Sequence, residues 1–413
     1  MNGGKRRPKV LISAYACEPG CGSEPEVGWR VALEMARWCE VTVLTRENNR
    51  PVIEEGLQRW KGARPDFLYF DLPRPFLWFK RRFGCVGGYY FLWQLAARIM
   101  HRDLLARVDL VHHVTFNGVQ LPGLWIGSPA PVVLGPLGGG MICPEALLSL
   151  LGRSRAAERR RSRLVRHLGW LPWWGRVVGE AAKVLAANRE TAELLQRRRT
   201  DPVEVLLETA VAPELLADPA LRQEPSAPFR LLWLGNLIPR KAPVLALRSF
   251  AEALSAGADV SLTIAGAGPE EPRLRREAEE LGIADRVAFP GRVNKQDVPA
   301  LMDRMDGFLF TSVRDTSGNV VLEAMARGLP VIALHHQGVR EICSPESALL
   351  VEPGGERATV TGFAEAIVRL CVEPGLAGRI GRAAHGRVAT ELSWRRYGDR
   401  MFSVYSEVLN HGK

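Results

Sequence analysis

Two short stretches of this 413-residue chain carry residue types that can stabilise a departing phosphate. The first is Gly235-Asn236-Leu237-Ile238-Pro239-Arg240-Lys241, which closes an apolar run beginning at Leu231. A glycine at the carboxyl end of a strand lets a ligand approach the backbone, and two adjacent cations beyond it can neutralise a phosphate. Taken alone, the stretch also fits an ordinary turn with surface charges. The second stretch runs from Phe310 to Val331. A strand is expected to end at Ser312, a polar loop containing Gly318 to follow, and a helix to begin at Asn319. The amides of Asn319 and Val320 would then point out of a helix N-terminus, where an anion binds. Asp315 stands on the loop and Glu323 one turn into the helix, so two carboxylates can face one crevice.

Such loops need strands to hold them. In the second half, apolar runs at 231–235, 261–266, 287–291, 308–312, 331–334 and 349–351 read as short buried strands separated by helical or loop segments. In the first half, a strand over 9–14 leads through the Gly-rich turn 20–28 into a helical pattern from Trp29 to Trp38 and a strand over 41–45. That is a βαβ unit, which demands a right-handed crossover and a parallel sheet. Further strands are expected at 67–71, 109–115, 131–135 and 184–187. The fold class is therefore α/β, with two Rossmann-like, doubly wound domains. The first is assigned to 1–205 and the second to 229–390, with a helix over 391–413. Pro213, Pro219, Pro225 and Pro228 break any long element and mark 206–228 as the hinge.

Composition narrows the function. With 24% charged and 46% hydrophobic residues the chain folds, and disorder is excluded for most of it. No apolar run approaches the roughly 20 residues that span a bilayer. The basic start (Lys5, Arg6, Arg7, Lys9) and the run 10–16 are too short, and too strand-like in alternation, for a secretory signal. Seven scattered cysteines, an odd number, argue against a disulfide framework and for a reducing compartment, and they lack the spacing of a structural metal site.

The formal charge of +10 is concentrated in two insertions, near 75–93 and 150–176. One mixes Phe76, Trp78, Phe79 and Phe83 with Lys80, Arg81 and Arg82, and the other combines eight arginines with Trp170, Trp173 and Trp174. Aromatic rings at headgroup level beside cations suit an anionic membrane surface. The plainer alternative is a solvated basic helix followed by a Trp-lined core turn. Nucleic acid is set aside, because the charge is local and no recognised nucleic-acid-binding signature occurs.

With these motifs in place, the chain resembles the family 4 retaining glycosyltransferases of the GT-B fold over nearly its whole length. That family carries a motif of Gly, Arg, Leu, three variable residues, Lys and Gly. Here Gly235, Leu237 and Lys241 match, while Asn236 stands for the arginine and Ala242 for the last glycine. The family's second motif, two glutamates separated by seven residues, appears as Asp315 and Glu323, followed by Ala324-Met325-Ala326 and Gly328-Leu329-Pro330-Val331. The resemblance implies two domains facing across a cleft that closes during turnover, with the C-terminal helix returning to the N-terminal domain. It implies that Lys241 holds the donor diphosphate together with the Asn319 and Val320 amides, and Arg240 is a candidate to replace the missing arginine. Glu323 would bind the donor ribose and Asp315 the sugar hydroxyls. Gly268, in Ala265-Gly266-Ala267-Gly268-Pro269, matches a strand-ending turn, and Arg292 and Val293 fall in the base-binding loop. In the N-terminal domain the resemblance places Gly22 and Ser23 at the donor phosphates, with Glu24 and Trp29 as candidate walls. Gly135 to Gly140 would form an acceptor-side loop. His112 and His113 are both candidates to stand beside the donor sugar. Adjacent strand residues face opposite ways, so only one can reach the cleft, and His113 is preferred.

The expected activity is transfer of a sugar from a UDP-sugar or GDP-sugar to an acceptor hydroxyl with anomeric configuration retained. No cofactor and no divalent metal are expected, in keeping with the absence of any Asp-x-Asp triplet. The expected acceptor is a glycan or lipid-linked glycan, and the expected location is cytoplasmic, peripheral on the inner face of the plasma membrane. Three other readings compete: a hydrolase using Asp315 and Glu323, a nucleotide-sugar epimerase, and a degenerate donor-binding subunit that recruits a partner to the membrane.

Overall fold

The computed structural model describes residues 6–218 and 227–411. The chain divides into two compact units, one of residues 1–140, 165–209 and 394–413, the other of 141–164 and 210–393.

The first unit is built on a sheet of seven strands: β1 (Lys9–Ser13), β2 (Glu40–Thr45), β3 (Asp66–Tyr69), β4 (Leu110–His113), β5 (Val132–Leu137), β6 (Lys183–Ala186) and β7 (Glu204–Val205). Their order is β3-β2-β1-β4-β5-β6-β7, and every pairing is parallel. Parallel strands covered on both faces read as continuous apolar runs rather than alternating ones. β4 is buried at all four positions, so its two histidines stand where apolar side chains would normally be. The second unit holds β8 (Phe229–Leu234), β9 (Val260–Ala265), β10 (Val287–Gly291), β11 (Gly307–Phe310), β12 (Val331–Leu334) and β13 (Ala348–Val351). Their order is β10-β9-β8-β11-β12-β13, again all parallel. Each sheet reverses its winding once, between β1 and β4 and between β8 and β11. In open α/β sheets ligands bind beyond the carboxyl ends of the strands at such reversals.

Two expectations need correction. Residues 141–164 belong to the second unit rather than the first, because Leu147, Leu148, Leu150 and Leu151 are buried in the core of the β8–β13 sheet. The division between Thr209 and Ala210 falls inside the expected 206–228 hinge, of which Pro219 and Pro225 lie outside the described residues. Trp174 is not a surface ring: it is fully buried, and its indole N–H donates to the Val119 carbonyl at 2.6 Å, whereas Trp170 and Trp173 are exposed. β7 had no sequence signal, since it is only two residues long. It is tied to the C-terminal helix Trp394–His411 by Arg400, whose Nε meets a Glu204 carboxylate oxygen at 2.6 Å. That helix lies in the first unit.

Candidate active site in the second unit

The reversal between β8 and β11 brings the two chemistry-bearing loops together. The chain leaves β8 through Gly235 and Asn236, buries Leu237 completely in the core, and turns through Pro239–Lys241 into the helix Pro243–Ser255. Leu237 thus plugs the sheet edge while Asn236 on one side is exposed and Arg240 and Lys241 on the other are half-buried. Thr311, just past β11, anchors the turn from beneath: its hydroxyl lies 3.0 and 2.9 Å from the carbonyls of Lys241 and Ala242 and 2.9 Å from the Trp233 indole nitrogen, whose N–H donates to it. Ala242 occupies the left-handed region (φ 45°). A side chain there costs roughly 1–2 kcal/mol, which is why a glycine suits this position. The glycines of the 265–269 turn serve the backbone: a Cβ on Gly268 would stand 2.3 Å from the Leu237 carbonyl oxygen, and one on Gly266 would stand 1.8 Å from that of Gly235. Gly268 therefore seats the turn against its neighbour, a role that does not require a ligand.

Lys241 and Asp315 form a close ion pair, with Arg240 3.9 Å from the same carboxylate oxygen. Burial works to raise the Asp315 pKa, but Lys241, Arg240 and the Ser312 hydroxyl outweigh it and hold the carboxyl below its ordinary value. Lys241 also lies 5.3 Å from the centre of the Phe310 ring. Past the loop, Gly318 takes a left-handed conformation (φ 69°) and opens the helix Asn319–Ala326, whose first amides, those of Asn319 and Val320, lack intrahelical acceptors. Glu323 sits in this helix, and burial pushes its carboxyl up despite the opposing charge of Lys295. A diphosphate would thus meet two cations and a helix N-terminus, while two carboxylates in opposite electrostatic settings stand on the same loop and helix. Arg292 lies just beyond β10 and is exposed, as expected for a rim residue, with Val293 half-buried beside it.

Four contributors escaped the sequence reading. Gln337 accepts from the Asp315 amide and donates to the Ile142 carbonyl, both at 2.8 Å. Its own backbone is left-handed (φ 52°), and nothing in a lone glutamine announces that. Arg314 pairs at 2.8 Å with Glu158, a buried acid on the helix Arg155–His167, and Arg161 approaches the same carboxylate at 3.6 Å. Burial, with Arg314 and Arg240 nearby, lowers the Arg161 pKa to about 10. The segment 141–164 is therefore clamped to the Asp315 loop at two points.

In the first unit the expected residues fare differently. Gly22 and Ser23 open the helix Ser23–Ala36 with consecutive positive φ values, 65° and 51°. A left-handed serine at a helix N-terminus is the kind of strain that accumulates at ligand-binding loops. Glu24 accepts from the Phe116 amide, and Trp29 is core, stacked on Phe67 at 6.2 Å. A Cβ on Gly135 would strike the Leu185 carbonyl oxygen at 2.5 Å, so that glycine serves strand packing.

His113 lies in the interior of the first unit. It is wholly buried, and its ring is fully used: the Trp125 indole donates to Nδ1 at 3.3 Å, leaving Nε2–H to meet the Tyr90 hydroxyl at 2.8 Å. Burial, helped by neighbouring His112, lowers its pKa to about 3. Both ring nitrogens are engaged by neighbouring side chains of the first unit. His112 is likewise buried: Nε2 faces the Gly135 carbonyl and Nδ1 the Tyr405 hydroxyl, each at 2.6 Å.

Among the described residues no group of three or more His, Cys, Asp or Glu is placed to hold a metal ion, and no helix is long and apolar enough to cross a membrane.

Comparison with known proteins bears on this geometry. Residues 228–373, which include Lys241, Asp315 and Glu323, match the family described as Glycosyl transferases group 1. A GDP-mannose-dependent monoacylated alpha-(1-6)-phosphatidylinositol monomannoside mannosyltransferase of Corynebacterium glutamicum is 30% identical over 177 residues, 41% of this chain and 45% of that protein. The matched segment thus spans less than half the length of that relative. Sucrose-phosphate synthase of Thermosynechococcus elongatus has the same fold, with a TM-score of 0.64 and 18% identity over 98% of this chain and 100% of that one. HepE of Anabaena, solved with UDP and glucose, aligns with a TM-score of 0.60 and 18% identity over 97% and 100% of the two chains. These likenesses show a two-domain α/β fold shared with GT-B glycosyltransferases.

Proposed function

We propose, from the match of residues 228–373 to Glycosyl transferases group 1, that the whole chain transfers a sugar from a nucleotide diphosphate sugar to a hydroxyl of a lipid-linked glycan, with retention of configuration and without a divalent metal. The observation that carries this reading is the meeting of Lys241, Arg240 and the Asn319 helix N-terminus at the β8/β11 reversal. As the bond between the anomeric carbon and the diphosphate oxygen lengthens, negative charge grows on the leaving group, and fixed positive potential there lowers the barrier. The acceptor hydroxyl attacks from the face the diphosphate leaves and gives its proton to a diphosphate oxygen, so no separate base is called for. Asp315, held ionised by Lys241, accepts hydrogen bonds from sugar hydroxyls, and Glu323 takes the ribose.

A lipid-linked acceptor is favoured by the exposed rings of Trp78, Trp170 and Trp173 beside arginines in the first unit. The substrate in the name of the Corynebacterium relative, a monoacylated phosphatidylinositol monomannoside, points the same way. Such an acceptor would place the protein on the inner face of the plasma membrane. The test is proton NMR of the first-formed glycoside, from an α-linked donor, in buffer containing EDTA. An α-glycoside formed at an undiminished rate is expected. A β-glycoside, or activity that EDTA abolishes, would overturn the stereochemical or the metal-free part of the proposal.

A further inference from the structure

The helix Arg74–Phe83 in the first unit leaves most of its apolar side chains exposed. It has no buried residue, and Phe76, Trp78, Phe79 and Phe83 are 46, 62, 51 and 56% exposed. Three of these rings, Phe76, Phe79 and Phe83, recur at helical spacing and so form one stripe. The Phe79 and Phe83 centroids lie 4.6 Å apart. Lys80, four residues after Phe76, flanks the stripe and points inward. Its ammonium lies 3.1 Å from the Tyr15 hydroxyl and 4.7 Å from the centre of the Tyr89 ring.

Tyr15 follows β1, and Arg46, immediately after β2, lays its guanidinium 4.5 Å from the Tyr15 ring centre. These groups therefore collect at the carboxyl edge of the first sheet, beside its β1/β4 reversal. Asp71 is the nearby carboxylate, but it already accepts from the Tyr89 hydroxyl at 2.7 Å and the Glu47 amide at 3.2 Å. Arg46 reaches Glu18 only at 3.9 Å. Desolvation first, and Arg46 second, lower the Lys80 pKa in spite of Asp71. The ammonium is thus a cation whose surroundings do not balance it, and an added anion would.

We propose that Lys80, with Arg46 and Tyr15 behind it, binds the phosphate of an amphiphilic acceptor whose apolar chain lies along the Phe76–Phe79–Phe83 stripe. The proposal rests on the lipid-linked-acceptor reading and names where that acceptor's phosphate sits. One feature, the outward stripe, calls for an apolar chain, and the other, the inward cation, calls for an anion attached to it. An ammonium–phosphate contact is charge-assisted, so its loss is read as a tenfold or greater fall in affinity.

The probe is dodecyl phosphate below its micellar concentration, titrated calorimetrically against the full chain, with dodecyl maltoside as a chain-matched neutral control. Wild type is expected to bind the phosphate at least about tenfold more tightly than the maltoside. Lys80→Met should erase that preference while keeping maltoside binding, and Phe79→Ser with Phe83→Ser should weaken both probes. Inorganic phosphate at equal concentration should not displace dodecyl phosphate. Each variant is checked for an unchanged circular dichroism spectrum and for the nucleotide-induced rise in melting temperature, for which the proposed diphosphate site around Lys241 lies in the other unit. If Lys80→Met retains the preference, or inorganic phosphate competes equally, the site is overturned. If Lys80→Met lowers binding to phosphatidylglycerol vesicles but not to monomeric dodecyl phosphate, Lys80 contacts the bilayer headgroups and the acceptor site is again overturned. Loss of the nucleotide response in wild type, with alkyl phosphate binding intact, would instead count against the glycosyltransferase reading.

Discussion

Lys241→Ala is expected to lower turnover by about 10²–10³-fold, the cost of deleting one preorganised group that meets charge developing in a transition state. Its ammonium pairs with Asp315 on the loop that leads into the Asn319 helix, where the leaving diphosphate is proposed to sit. Arg240, 3.9 Å from Asp315, leaves a residual rate. The same substitution takes its nearest cation from the half-buried Asp315 carboxylate, and breaking such a pair from one side destabilises the fold. The two effects separate in the double variant Lys241→Met with Asp315→Asn, which removes both charges. Stability is expected to recover there and turnover is not. Recovery of turnover along with stability would mean that Lys241 serves folding alone.

A comparably large effect is expected from pH, and it resides in the first unit. His112 and His113 are buried neutral, with burial the main cause in each case, and their pKa values fall to about 4 and about 3. In the unfolded chain both titrate near 6.5. Between those limits the unfolded state binds more protons than the folded one, so stability rises with pH and is lost as pH falls. Two such groups amount to about 3 kcal/mol lost between pH 6.5 and pH 5, a window in which most carboxylates are still ionised. Glu24 and Glu323, whose pKa values burial raises, act in the opposite sense and blunt the loss. Urea unfolding at half-unit intervals over this window, followed by circular dichroism, measures the slope. A flat profile would show that the two rings are not held neutral as their hydrogen bonds indicate.

The same histidines mark where the sequence stopped being a sufficient guide. Strand placement was readable almost throughout, because parallel strands buried on both faces are uninterrupted apolar runs and the glycine-rich turns punctuate them. The second-unit site was readable for a related reason: Lys241, Asp315 and Glu323 lie on two contiguous loops, each attached to its own strand. The surroundings of His113 were not readable in that way. Alternation along a strand gives two faces but not what covers them, and here Tyr90 and Trp125, 23 and 12 positions away in sequence, close over the ring. Segment 141–164 failed for another reason. Its arginines suggested a surface, while its function is carried by Glu158, a single acid among many bases, reached by Arg314 from a distant loop. Gln337 gave no signal at all, since a left-handed glutamine is a property of the backbone around it.

The most direct test of the donor site is a thermal-shift panel of UDP, GDP, ADP and CMP with their common sugar conjugates, run with and without EDTA on wild type and Lys241→Ala. A ligand at a hundred times its dissociation constant stabilises the folded state by about 2.7 kcal/mol. One nucleotide and its conjugates are expected to raise the melting temperature of wild type, unaffected by EDTA, and to lose most of that effect in Lys241→Ala. No shift with any nucleotide on folded protein, or a shift that survives the loss of Lys241 unchanged, would contradict the assignment of the β8/β11 reversal as the donor diphosphate site.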